Sequence, residues 1–165
     1  MNATKALVTA AVTDIVYRSC LYLDNGDWGE FLNLCDNSMT YSIKAYSVEI
    51  RREMEYLSHN KDELGSLTEM LPKLNSDHSP LRRHASVYAV DISEDGETAT
   101  AITSLAVYQN MHDGINSHID SGETRLFCAG RYIDTLVVEE DTAKFLSREF
   151  RLENRRLDKG SHWPL

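Results

Sequence analysis

RLFCAGRYIDTLVVEEDTAKFLSREFRLENRR, residues 125–156, reads as two long strands folded back on each other at a short acidic turn. Leu126, Phe127, Cys128, Tyr132, Ile133, Leu136, Val137 and Val138 supply the apolar side chains of the first arm, and Phe145, Leu146, Phe150 and Leu152 those of the return. β-branched and aromatic residues favour extended backbone, whereas Glu139, Glu140 and Asp141 between the arms favour a solvated reversal. Both arms exceed the usual strand of about 5–6 residues. Such lengths suit a strongly curved sheet, and Gly130 is the expected place of a bulge or sharp bend. The rest of the chain is expected to pack onto this hairpin.

Upstream, residues 98–110 and 82–92 alternate in the manner of strands, and Asp95-Gly96 between them is a hairpin signal. Residues 111–121 are polar and read as the connection to the long hairpin. Residues 75–80 read as a loop. Before it, Asn60 and Glu63 predict a capped helix from Lys61, with Leu64, Leu67, Met70 and Leu71 on its apolar side and Pro72 ending or kinking it. Residues 38–47 alternate Met39, Tyr41, Ile43 and Ala45 against polar neighbours and predict a first strand, while residues 51–57 fit neither period. At the start, Val8, Val12, Ile15, Val16, Tyr22 and Leu23 form the stripe of a long amphipathic helix that Asn25-Gly26 ends. Asp27 with Glu30 opens a short second helix carrying Trp28, Phe31, Leu32 and Leu34. Three helices, one early strand and four strands in an antiparallel meander make an α+β domain spanning residues 1–165.

Composition removes several classes of function. The formal charge of −9 comes from 26 acidic against 17 basic residues, and acidic residues outnumber basic ones in both halves of the chain, so no basic face for nucleic acid is expected. The apolar runs read as too short and interrupted for a bilayer, and no signal peptide is evident, which predicts a soluble cytoplasmic protein. Cys20, Cys35 and Cys128 lack any paired metal-ligand spacing and are expected to be buried free thiols. His59, His78, His84, His112, His118 and His162 contain no i, i+4 pair, so no metal site is expected here, and no nucleophile elbow, phosphate loop or dinucleotide fingerprint is present.

Leu81-Arg82-Arg83-His84 at the start of a strand has two readings. In one, His84 is a general base on the concave face of the sheet, oriented by Tyr41, Tyr56 or Asp24. In the other, Arg83 and His84 belong to a buried polar network or a subunit contact. Arg131, Arg148 and Arg151 read as ion-pair partners for the many carboxylates, and Trp163 as an exposed ring or an anchor on a neighbour. An open pocket of at least about 300 Å³ with His84 at its base favours the enzyme, and a cone filled by side chains favours a structural role.

The order of these segments resembles the small, or β, subunit of the Rieske non-haem iron ring-hydroxylating oxygenases, within the superfamily of nuclear transport factor 2 and the SnoaL-type cyclases. The resemblance rests on Leu23-Asp24 through Phe31-Leu32, on LCDNSMTY at residues 34–41, on Lys61-Asp62 before a Leu-spaced helix, on Arg82-Arg83-His84 entering a strand, and on residues 126–134 with 145–152. It implies an NTF2-like cone and no catalytic, cofactor or metal residue in this chain. It also implies an α subunit holding a Rieske [2Fe-2S] cluster and a mononuclear iron, in an α3β3 hexamer with the small subunits as a trimer. Tyr41-Ser42-Ile43-Lys44, where many members have Trp and Pro, and the terminal SHWPL depart from the pattern. They point to a divergent branch, a monooxygenase or one taking a small non-aromatic substrate such as an alkanesulfonate. The rival function is a self-sufficient SnoaL-like dehydratase, isomerase or cyclase using His84, Tyr41 and Asp24 in the cone.

Overall fold

The computed structural model describes residues 3–74, 78–112, 119–140, 142–155 and 164–165. Along the chain come α1 (Ala3–Asn25), α2 (Trp28–Asn33), β1 (Cys35–Ser47), β2 (Arg52–Asn60), α3 (Lys61–Leu74), β3 (Leu81–Ile92), β4 (Thr98–Asn110), β5 (Thr124–Glu139) and β6 (Thr142–Leu152). The long hairpin is β5 and β6, reversing at Glu140, whose φ is +52°. It lies inside a single open sheet of order β2-β1-β6-β5-β4-β3, with the three helices on one face, the expected α+β arrangement.

The sheet differs from the sequence reading in its strands and in the place of its bulge. Of residues 51–57, all but the turn residue Arg51 belong to β2, a sixth strand paired antiparallel to β1. The pairing of β1 with β6 is parallel, so the meander of β3 to β6 is joined to an N-terminal hairpin through a long crossover. Gly130 sits in unbroken register between Leu105 and Leu152. The extra residue of β5 is instead Phe127, opposite the step from Val107 to Tyr108. Gly130 has a different reason to be glycine: a Cβ there would lie 2.1 Å from the Arg151 carbonyl oxygen.

In α1, Val8, Val12, Ile15, Val16, Cys20 and Leu23 are buried against the sheet. By length and composition the segment Thr4–Asn25 is apolar enough to cross a bilayer, contrary to the expectation from its interrupted runs, but the core takes up its stripe. Gly26, at φ +74°, ends the helix, and the Asp27 amide donates to the Tyr22 carbonyl at 2.8 Å. The Asp27 side chain makes no cap bond, so the predicted box at α2 does not form. At α3 it does: the Asn60 amide donates to Glu63 and the Glu63 amide to Asn60, both at 2.9 Å. Pro72 falls in the last turn of α3, which continues to Leu74.

The outer border of β3 is not left bare. The Val87 amide donates to the Tyr17 hydroxyl at 3.3 Å, and the Arg83 amide donates to the Asp24 carboxylate at 3.1 Å. Side chains of α1 thus reach over the sheet edge and occupy amides that would otherwise invite another strand.

Candidate functional site

Because side chains alternate along a strand, the start of β3 decides what enters the cone. Leu81, Arg83, Ala85 and Val87 turn inward, and Arg82, His84 and Ser86 are exposed. His84 therefore lies on the outer face, edge-on to Tyr108 with ring centroids 5.2 Å apart. The inward neighbour is Arg83, whose side chain is 1% exposed.

Asp24, at the end of α1, is taken up by Arg83: its carboxylate accepts from the Arg83 amide and, at 2.6 Å, from Nη1. A carboxylate at a helix C-terminus opposes the helix dipole, and the guanidinium offsets that. Tyr41 is fully buried on β1, and its hydroxyl donates to the Leu165 main-chain oxygen. Arg83 Nη2 donates to the Pro164 carbonyl at 2.7 Å. Tyr56 is exposed on β2, donating to the Arg155 carbonyl at 2.9 Å. The structure therefore joins Asp24 to Arg83 and does not bring His84, Tyr41 and Asp24 together.

Deeper in the cone lies a second ion pair. Asp134 and Arg148 are register partners on β5 and β6, and both point inward. The guanidinium donates twice to the carboxylate at 2.8 Å and once to Ser19 Oγ at 2.8 Å, with Cζ 4.0 Å from the Tyr132 ring centroid and 4.2 Å from that of Phe145. Burial pushes the Asp134 carboxyl above its ordinary value while the Arg148 charge pulls it back. Arg148 is held protonated above its own ordinary value, desolvation being outweighed by Asp134. Arg131 and Arg151 are surface partners of Glu153, Glu149 and Glu53, as their composition predicts.

Chemically, this interior is poor in bases. Desolvation raises the phenols of Tyr41 and Tyr132, both guanidiniums stay charged, and both carboxylates are spent on them. A general base needs a pKa near the working pH and reach to a substrate proton. The cleft that touches the Asp24–Arg83 pair, lined also by Leu23, His78 and Pro80, holds about 160 Å³, below the roughly 300 Å³ of a ligand pocket. His84 does not line it.

Among the described residues no three His, Cys, Asp or Glu stand close enough to hold a metal ion, and Cys20, Cys35 and Cys128 are separately buried. The donor set among the described residues does not fit a Rieske cluster or a mononuclear iron, which need converging Cys and His or His and carboxylate. His118, His162 and Trp163 lie outside the described residues. Sequence reasoning missed Asp134, Pro164 and Leu165. The first had a signal, since Tyr132, Asp134 and Leu136 share one face of β5 by period two.

A SnoaL-like domain model matches residues 4–149. The methanesulfonate monooxygenase hydroxylase subunit beta of Methylosulfonomonas methylovora is 50% identical over 155 residues, covering 94% of this chain and 86% of that protein. The 2-aminobenzenesulfonate 2,3-dioxygenase subunit beta of Alcaligenes sp. is 26% identical over 159 residues, 95% of this chain and 99% of that one. In fold, the chain matches the crystal structure of a β subunit assigned to an aromatic-ring-hydroxylating dioxygenase of Novosphingobium aromaticivorans, with a TM-score of 0.80 and 21% identity over 98% of this chain and 99% of that one. With an NTF2-like cone, two spent ion pairs inside it and these relatives, the chain belongs to the SnoaL-like domain family and, within it, to the β subunits of monooxygenases and dioxygenases.

Proposed function

We propose that this chain is the non-catalytic small subunit of a Rieske-type oxygenase, giving shape to an assembly whose redox centres reside in a larger α subunit. One observation carries the reading: both carboxylates inside the cone are consumed by guanidiniums and the Tyr41 hydroxyl by Leu165, while the imidazole that a cyclase or dehydratase would use lies outside. The Rieske [2Fe-2S] cluster and the mononuclear iron belong to the partner, in keeping with a donor set among the described residues that suits neither. The small subunits form a trimer within an α3β3 hexamer in the cytoplasm, and the substrate is a small sulfonate, in keeping with the 50% identical subunit of a methanesulfonate monooxygenase. Electron transfer between centres in neighbouring large subunits depends on fixed geometry, and that is the contribution of a rigid small subunit.

The test is reconstitution with the large subunit encoded nearby, weighing the complex and assaying iron in each component. An iron-free trimer that recruits an iron protein is expected. In that complex His84→Ala should leave turnover within about twofold of wild type, since an exposed side chain away from the interior contributes little to stability. Loss of turnover with the oligomer intact would return His84 to a catalytic role.

A further inference from the structure

The interior is closed by main chain as well as by core side chains. Leu165 is 1% exposed and sits in the same apolar cluster as Tyr41, Tyr132 and Phe150. Pro164 and Leu165 present two oxygens to two buried donors, Arg83 Nη2 and the Tyr41 hydroxyl. These contacts resemble ligand recognition: a guanidinium and a phenol converge on acceptor oxygens, and a branched aliphatic group fills the space beyond. Further polar atoms stand by. Arg83 Nε, Tyr132 Oη and Thr103 Oγ1 are buried with no hydrogen-bond partner among the described residues, and buried donors left so are costly. A cleft of about 160 Å³ reaches Asp24 and Arg83 beside these groups.

We propose that the cone retains a binding site for a short branched-chain carboxylic acid, and that Pro164 and Leu165 occupy it as a built-in ligand. The acid would place its carboxylate on Arg83 and Tyr41 and its branched tail where the Leu165 side chain lies. Asp24 shares the Arg83 charge and keeps this affinity modest. The inference stands whether or not the chain serves an oxygenase.

The experiment compares the full chain with one ending at Trp163, using 4-methylpentanoate as probe and 4-methylpentan-1-ol as control. Removing two buried residues should lower Tm by about 5 °C or more, taking about 2–4 °C per kcal/mol for a chain of this size. Millimolar 4-methylpentanoate should restore most of that loss and bind the shortened chain in calorimetry while leaving the full chain unaffected. No loss of Tm, a loss the acid does not repair, or equal repair by the alcohol would each overturn the proposal. Where the shortened chain does not fold, Leu165→Ala in the full chain carries the test. Its lowered Tm should rise with the acid, which displaces the weakened tail, and no rise overturns the proposal.

Discussion

Arg148 and Asp134 are fully buried, so neither can be removed alone without stranding a charge. Asp134→Ala should cost about 3–5 kcal/mol in urea unfolding, the range for breaking a buried pair, whereas joint replacement by Leu and Met should cost much less. A loss below about 1 kcal/mol for the single variant would mean the charge finds water. The buried thiols give a second check: burial pushes Cys35 up to about 11 and Cys128 up to about 12, so neither should react with an aromatic disulfide reagent at pH 8 until the protein unfolds. On the surface, the hydrogen-bonded Arg155 holds Glu49 at about 2 against an ordinary 4.5. A folded pKa below the unfolded one means a contribution present above pH 4.5 and lost as pH falls from there through about 2. Carboxyl NMR should place the Glu49 midpoint near 2, rising in Arg155→Ala but staying below the ordinary value because the Ser47 hydroxyl and the Glu49 amide still donate to it. At this scale the ion-paired fate of Arg148 was legible from the acidic composition. The choice between Arg83 and His84 was not, because Arg82-Arg83-His84-Ala85-Ser86 carries polar groups on both parities and a one-residue slip exchanges the faces.

Among the elements, α1, α3 and β3 to β6 were legible because each buries one face and repeats apolar residues at its own period. β2 buries no residue fully, so its sequence carries no alternation to read. The parallel pairing of β1 with β6 joins segments about a hundred residues apart and leaves no local trace. Gly130 was expected to mark a bulge or bend, and the bulge lies at Phe127 instead; glycine is needed at 130 for the closeness of β6. Gly130→Ala, with its methyl 2.1 Å from a carbonyl oxygen, should destabilise the fold by about 3 kcal/mol, at the upper end of overpacking. An unchanged urea midpoint would show that β5 and β6 can part at no cost.

For the whole molecule, the NTF2-like cone followed from the order of its segments, and its filling did not, since Pro164 and Leu165 lie far in sequence from the residues they meet. What remains outside is apolar in places. Tyr46, Val48 and Ile50, at the tip of the β1–β2 hairpin, are all more than half exposed. Clustered exposed apolar residues mark contact surfaces. Val48→Asp with Ile50→Asp should leave the circular dichroism spectrum and Tm of the isolated chain unchanged and reduce recovery of the large subunit in pull-down at least tenfold, about 1.4 kcal/mol of binding. Full recovery would place the contact elsewhere.

The border of β3 limits how copies of this chain can meet. With Tyr17 and Asp24 already bonded to its amides, a neighbour cannot zip on there and lengthen the sheet from one molecule into the next. Growth by strand addition is barred along that rim. Any joining of sheets between copies is left to the opposite border, β2, where the exposed charges of Arg52, Glu53 and Glu55 blunt such pairing.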